Sequence, residues 1–420
     1  MKMVKSLILG TAVAFAATAG AQAADLPVKA KAVSYVKICP QYGPGFYYIP
    51  GTDVCLKVGG LVFAEAGFYA SGAITNLGNG PTWSRDDTAL QWRTRGYVSL
   101  DARTATAYGT LRSFILGGFE QRDTNGFVGI NQAGAAFIQF AFIQFAGFTA
   151  GTANSFFDFG SNYLTLSVSS NPWNWTNLFA YTANLGNGLS ATISLEEATT
   201  TRIGVPGTVA GVGGTQQQSP NIVGNVRLDQ AWGSAQIMGA AQQARFAINA
   251  APANHTDWGY AIGAGIEIKL PMLGAGDTIK IVGVYSEGAV EYTGLSGSPY
   301  GGVAGVGLGF NGGATFGTVT DFNNAVGNNS ATDASSIMVQ YRHFWTPTVR
   351  SSFHAGYNEA RNIIGAGSFG SVQVVQYGHS LAWSPVKDLT LSLDVLYTEV
   401  DMNNNETDKL ATWFRVTRTF

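Results

Sequence analysis

The stretch Ala89 to Asp101, ALQWRTRGYVSLD, decides the fold. Leu90, Trp92, Thr94, Val98 and Leu100 share one parity, while Gln91, Arg93, Arg95, Ser99 and Asp101 share the other. A helix would scatter both sets around its circumference. A strand sends alternate side chains to opposite faces, so the period of two marks a β-strand with one apolar and one wet face. The pattern recurs in GYAIGAGIEIKL (259–270), where Ile262, Ile266, Ile268 and Leu270 oppose Glu267 and Lys269, and again in LTLSLDVLY (389–397).

Composition agrees with many such strands. The 420 residues carry a formal net charge of -2, with 12% charged side chains, 12% aromatics and 54 glycines, and the mean hydropathy is +0.09. Disorder would show fewer aromatics and more charge. A helical membrane protein would show runs of about eighteen apolar residues, and none follows the amino terminus. Turn signals cut the chain into about sixteen strands, starting near Leu56, Thr88, Ala107, Gly134, Thr149, Asn177, Leu189, Pro220, Ala231, Asp257, Asp277, Ala334, Val349, Val372, Leu389 and Lys409. Short links at 184–188, 271–277, 346–348 and 384–388 alternate with long ones at 71–87, 199–219 and 291–333. That rhythm, short turns on one rim and long loops on the other, is that of an antiparallel transmembrane β-barrel. Trp92, Trp345, Tyr397 and Trp413 near strand ends are expected in its interfacial girdles. A soluble sandwich would have too many strands, and no blade-length repeat supports a propeller.

Residues 1–23 read as a secretory signal peptide: Lys2 and Lys5, an apolar centre from Leu7 to Ala17, then Ala21 and Ala23 framing Gln22. Its removal makes the mature chain about two charges more negative than the formal -2, and nothing in that balance invites nucleic acid. Residues 24–55 form a periplasmic amino-terminal segment in which Cys39 and Cys55 bracket a turn-rich loop. In an oxidising compartment a disulfide is the plain reading, contributing roughly 3 kcal/mol in the chain-entropy model. No histidine stands near enough to make the pair a metal site, and the sequence calls for no cofactor. Residues 56–420 would be the barrel, ending on Phe420 in step with Phe414, Val416 and Arg418. A terminal aromatic of this kind resembles the signal by which the barrel-assembly machinery recognises its clients.

The chain as a whole resembles the trimeric sixteen-stranded porins of alphaproteobacterial outer membranes. The motifs that carry the likeness are ADLPVKA (24–30), ICPQYGPGFYYIPGTDVCLKVGG (38–60), FIQFAGFTAG with SFFDF between Phe142 and Phe159, and the terminal RVTRTF. The resemblance implies a homotrimer in outer-membrane lipid and lipopolysaccharide, each subunit enclosing a water-filled channel for passive diffusion of small hydrophilic solutes. It also implies a third loop, about Asp158 to Asn177, folded inward to narrow the pore. Asp158, the loop's one acid, would then face wall charges on the wet strand faces: Glu65, Arg93, Arg95, Arg112 and Arg227. One loop aspartate against several arginines, in a net acidic barrel, suggests a weakly selective pore.

One departure from the family pattern concerns AAFIQFAFIQFAGF (135–148), where AFIQF occurs twice. Five extra residues would exchange the faces of everything upstream. Either Phe137 or Phe142 enters the lumen, or a β-bulge near Phe140 to Ala141 restores the phase; alternatively the strand rises past the rim, with Ala136 to Phe140 above the lipid. Two other functions compete with diffusion. A surface adhesin or antigen would use the long loops and conduct little. An outer-membrane hydrolase needs a nucleophile with a positioned base, yet His343 and His379 fall on the lipid parity, His255 in a loop, and only His354 on the wet face. The chain is therefore not expected to be an enzyme.

Overall fold

The computed structural model describes residues 37–71, 90–122, 135–165, 170, 175–197, 219–246, 255–295, 321–323, 330–365, 368–402 and 405–420. The expected signal peptide and most of the long links at 71–87, 199–219 and 291–333 lie outside these. Sixteen antiparallel strands form the barrel: β1 (Cys55–Ser71), β2 (Leu90–Thr106), β3 (Gly109–Arg122), β4 (Ala135–Phe145), β5 (Phe148–Asn154), β6 (Trp175–Gly186), β7 (Leu189–Glu196) and β8 (Asn221–Gln230) in the first half. The second half holds β9 (Gly233–Phe246), β10 (His255–Lys269), β11 (Thr278–Glu287), β12 (Asp333–Thr346), β13 (Val349–Gly365), β14 (Ser368–Val386), β15 (Leu389–Met402) and β16 (Asn405–Thr419). Every start falls within four residues of its expected place. His255, expected in a loop, is instead the first residue of β10.

Each strand pairs with its chain neighbours, and β16 returns to β1, with Lys409 opposite Ser71 and Thr419 opposite Leu61. Closure leaves no edge of unpaired amides, the condition for strands to cross hydrocarbon. Phe420 seals the seam by exchanging two 3.0 Å backbone hydrogen bonds with Gly60. The tight turns at Ala146-Gly147 and Asn187-Gly188 have positive φ at both positions, which matches the twist of a two-residue hairpin.

Alternation holds around the wall. Phe119, Phe179, Ile237, Ile262 and Trp345 are among the exposed large apolar residues, and all stand on the outward parity. An apolar belt of this extent would drive a soluble protein to aggregate, whereas facing lipid it anchors the barrel. Trp92 and Trp345 face outward as expected, but Trp413 does not. It shares parity with Ala411 and is 3% exposed, because its indole packs inward over Gly67, where a Cβ would lie 2.4 Å away.

The doubled AFIQF is β4. Its pairing with β3 is regular from Arg112–Gln144 to Leu116–Phe140 and resumes at Gly117–Ile138, so Gln139 is the bulged residue. The bulge lies one residue before the expected position. Without it Gln139 would enter the lipid-facing row, an unpaired amide in hydrocarbon; with it Ile138 (65% exposed) joins Ile143 there. Two of the three expected alternatives occur together, since Phe137 and Phe142 also turn inward. Phe137 meets Tyr97 edge-on at 5.1 Å, and Phe142 packs on Phe114 at 5.3 Å.

At the short-turn rim the amino-terminal segment folds back on the barrel. Cys39 and Cys55 form the expected disulfide, their Cα atoms 6.0 Å apart. Tyr47 and Tyr48 add a short antiparallel pairing to the base of β1, and the Arg103 guanidinium lies 4.9 Å over Phe46.

Candidate pore-lining site

The inner faces of β16 and β1 to β4 carry arginines matched to carboxylates. Glu65, its side chain buried, accepts from Nε of both Arg93 and Arg415. Arg95 donates through Nε to Glu120 at 2.6 Å and through Nη1 to the Tyr97 hydroxyl at 2.7 Å. Asp101 is clamped from two strands, by Arg103 at 2.8–2.9 Å and by Arg112 at 3.0 Å. Aromatic rings fill the gaps: Arg415 over Phe63 at 4.5 Å, Arg95 over Phe137 at 4.8 Å and Arg112 over Phe114 at 5.0 Å. Paired forks and ring faces hold each guanidinium in a fixed plane.

This wall brings Glu65, Arg93, Arg95 and Arg112 together. The sequence reading omitted Arg103, Arg415, Asp101 and Glu120 from the site. Parity signalled Asp101, which stands on the wet face of ALQWRTRGYVSLD. The contact of Arg415 with Glu65 depends on barrel closure, a pairing of residues 350 apart in sequence.

Arg227 belongs to a different region, six strands further round. Its guanidinium grips Asp229 at 2.8 and 2.9 Å and lies 5.4 Å over Phe159. Here the segment after β5, residues 155–165 with Ser170, rests on inward side chains of the wall. Glu196 on β7 accepts from the Phe156 amide at 3.0 Å, and Asn225 on β8 donates to the Phe156 carbonyl at 2.6 Å. Gln236 on β9 donates to the Asp158 carbonyl at 3.3 Å, and Lys280 on β11 to that of Ser161. Gln340 on β12 accepts from the Tyr163 amide at 3.1 Å, and Asp394 on β15 from the Thr165 amide at 2.6 Å. Phe157, Phe159 and Leu164 are buried with Met238, Val282 and Met338 of the wall. Asp158 thus sits on this segment, partly buried between two buried phenylalanines.

A second segment joins it. Residues 288–295, after β11, are buried: the Tyr292 ring packs tilted against Phe157 at 4.6 Å and its hydroxyl accepts from Asn221 at 3.0 Å, and Asn358 on β13 donates to the Thr293 carbonyl at 2.8 Å. His354, the histidine expected on the wet face, lies inside this half, 4% exposed and 3.3 Å from Gln340.

A closed sixteen-stranded barrel, apolar outside and lined with charged and polar groups inside, defines an outer-membrane porin fold. The family model described as the porin subfamily matches residues 25–418, and the chain belongs to that family. Porin Omp2b of Brucella suis is 36% identical over 206 residues, covering 46% of this chain and 52% of that protein, so the match spans about half of the relative's length. Among solved structures, the outer membrane channel DcaP of Acinetobacter baumannii matches at a TM-score of 0.67 and 15% identity over 89% of this chain and 99% of that one. OmpT of Vibrio cholerae, solved in a trimer form, matches at 0.50 and 8% identity over 88% and 100%. At such identities these structures bear on the fold.

Proposed function

We propose that this chain is one subunit of a homotrimeric porin of a Gram-negative outer membrane, conducting ions and small hydrophilic solutes by passive diffusion. The observation that carries the reading is the division of the interior. The β7 to β15 side is covered by residues 155–165 and 288–295, while the opposite wall keeps its paired arginines and carboxylates facing the lumen. In this reading residues 155–165 open the inward-folded third loop expected at about Asp158 to Asn177, and Asp158 stands on the constriction opposite Arg93, Arg95, Arg112 and Glu65. Arg227 backs the loop rather than facing it. Oriented charge pairs across a narrow lumen would order water and favour polar over apolar solutes. The carboxyl-terminal Phe420 would be read by the barrel-assembly machinery, and the outer belt would face outer-membrane lipid and lipopolysaccharide.

Purified protein in a planar bilayer tests this. Large current steps arriving in groups of three are expected, with sugar uptake into liposomes. Silent trimers with no uptake would exclude diffusion and leave the surface-adhesin reading standing.

A further inference from the structure

Among the arginines whose side chains are described, all but two reach a carboxylate within 4.0 Å. The exceptions are Arg342 on β12 and Arg350 on β13. Both are half-buried on the inner face, close to the tight turn at 347–348. The register sets Arg342 opposite Ser352 and Phe344 opposite Arg350, so the two cations are diagonal neighbours on adjacent strands. Their polar contacts are long and neutral. Arg342 Nε lies 3.5 Å from Ser352 Oγ, and Arg350 Nη1 lies 3.4 Å from Ser384 Oγ. One face of Arg342 is taken by the Tyr163 ring at 4.1 Å, and its charge is answered in part, at longer range than an ion pair, by the Glu267 carboxylate. The neighbouring cation, Lys280, is already matched by Glu267 at 3.3 Å.

Two like charges side by side in a partly desolvated wall repel each other. Elsewhere in this barrel the same problem is met with a carboxylate, as at Asp101 between Arg103 and Arg112. At Arg342 and Arg350 two planar donor forks lie side by side on the inner wall, and their direct hydrogen-bond acceptors are the hydroxyls of buried Ser352 and of Ser384, which also pairs with Thr390 at 3.0 Å. That donor set fits a small oxyanion, whose oxygens take paired N–H donors from guanidinium.

We propose that Arg342 and Arg350, with Ser384 beside them, form an oxyanion-binding station on the inner wall, on the tight-turn side of residues 155–165, that takes carboxylate or phosphate groups of solutes. It rests on the channel reading for the solute's route, not for the binding itself. With short turns facing the periplasm, the station lies where solute leaves the constriction.

The test measures binding to full-length protein in detergent, separately from conductance. Inorganic phosphate is titrated in one arm and succinate in the other, followed by calorimetry, for the wild type, R342Q/R350Q, and the exposed-site control R361Q. Wild type and R361Q are expected to bind at least one of the two anions saturably, and R342Q/R350Q to bind it at least about tenfold more weakly. The arm that saturates names the anion class. R342K/R350K keeps both charges but loses the forks; it should bind more weakly than wild type, and it decides the matter if the glutamine variant does not fold. Absence of saturable binding in both arms, or wild-type affinity in the arginine-replaced proteins, overturns the station. Saturable binding by a protein that passes no current would leave the station standing and remove the channel reading.

Discussion

The two halves of the barrel interior follow the same strand pattern and reach opposite outcomes. Around β16 and β1 to β4, inward positions hold long charged side chains whose partners are also on the wall: Glu65 with Arg93 and Arg415, Asp101 with Arg103 and Arg112. Around β8 to β12 the inward positions include Val223, Met238, Ala261, Val282 and Met338, which have no polar group to offer water. Those positions are covered by Phe157, Phe159 and Tyr292 from residues 155–165 and 288–295. A porin wall therefore need not be wet all the way round. One half can keep its polar groups towards the lumen, while the other seats residues 155–165 and 288–295 through buried apolar side chains and hydrogen bonds.

The comparison can be broken most severely at Glu65. Glu65→Ala leaves Arg93 and Arg415 facing each other with their buried shared partner gone. Loss of one member of a buried pair should cost about 3–5 kcal/mol, read from denaturant unfolding of the folded barrel. A loss below about 1 kcal/mol would mean that the polar half behaves like an ordinary solvated surface. Next in size is Gly67→Val, which forces atoms into the Trp413 indole. Overpacking of about 1–3 kcal/mol is expected in the same unfolding assay, with Trp413 fluorescence shifted.

Asp158→Asn probes the boundary between the halves. In a salt gradient its reversal potential should move towards anions, changing the permeability ratio by about two- to threefold. An unchanged potential would place that carboxylate away from the ion path. The smallest effect belongs to the rim of the covered half, at Asp277. Burial alone pushes its carboxyl up, but hydrogen bonds from His343, the Phe344 amide and Tyr341 outweigh this and hold it below the usual carboxylate range. Its stabilising share is complete above the unfolded carboxylate range and is lost as pH falls through the lowered folded value. The gap in thermal stability between wild type and Asp277→Ala should therefore be present at pH 7 and shrink in strong acid.

Much of this architecture was legible in the sequence because strand parity is a local property. ALQWRTRGYVSLD alone assigns Arg93, Arg95 and Asp101 to one face, and turn chemistry places the strand starts. The site was legible only in part, because its pairings depend on closure and register. Nothing within β16 says that Arg415 will share Glu65. Trp413 shows the same limit: an aromatic near a strand end suggests a membrane girdle, yet its parity, read from Arg415, turns it inward against a glycine on a strand distant in sequence. Parity gives Arg227 its face, and its place on β8 sets it apart from the arginines of β2 and β3. The doubled AFIQF is intermediate. Its odd length raised the bulge as one of several outcomes, but which residue would leave the ladder depended on keeping Gln139 out of lipid.

Cysteine accessibility during conduction tests the account most directly, since Cys39 and Cys55 are already joined to each other. Two isosteric changes compare the halves: Ser99→Cys, on the half-exposed inner face of β2, and Ser286→Cys, fully buried on the inner face of β11 beside residues 288–295. The account predicts that a charged methanethiosulfonate reagent added to open channels cuts the current of Ser99→Cys and leaves that of Ser286→Cys unchanged. Block of Ser286→Cys with Ser99→Cys untouched would put the ion path on the wrong side of the barrel and contradict the account.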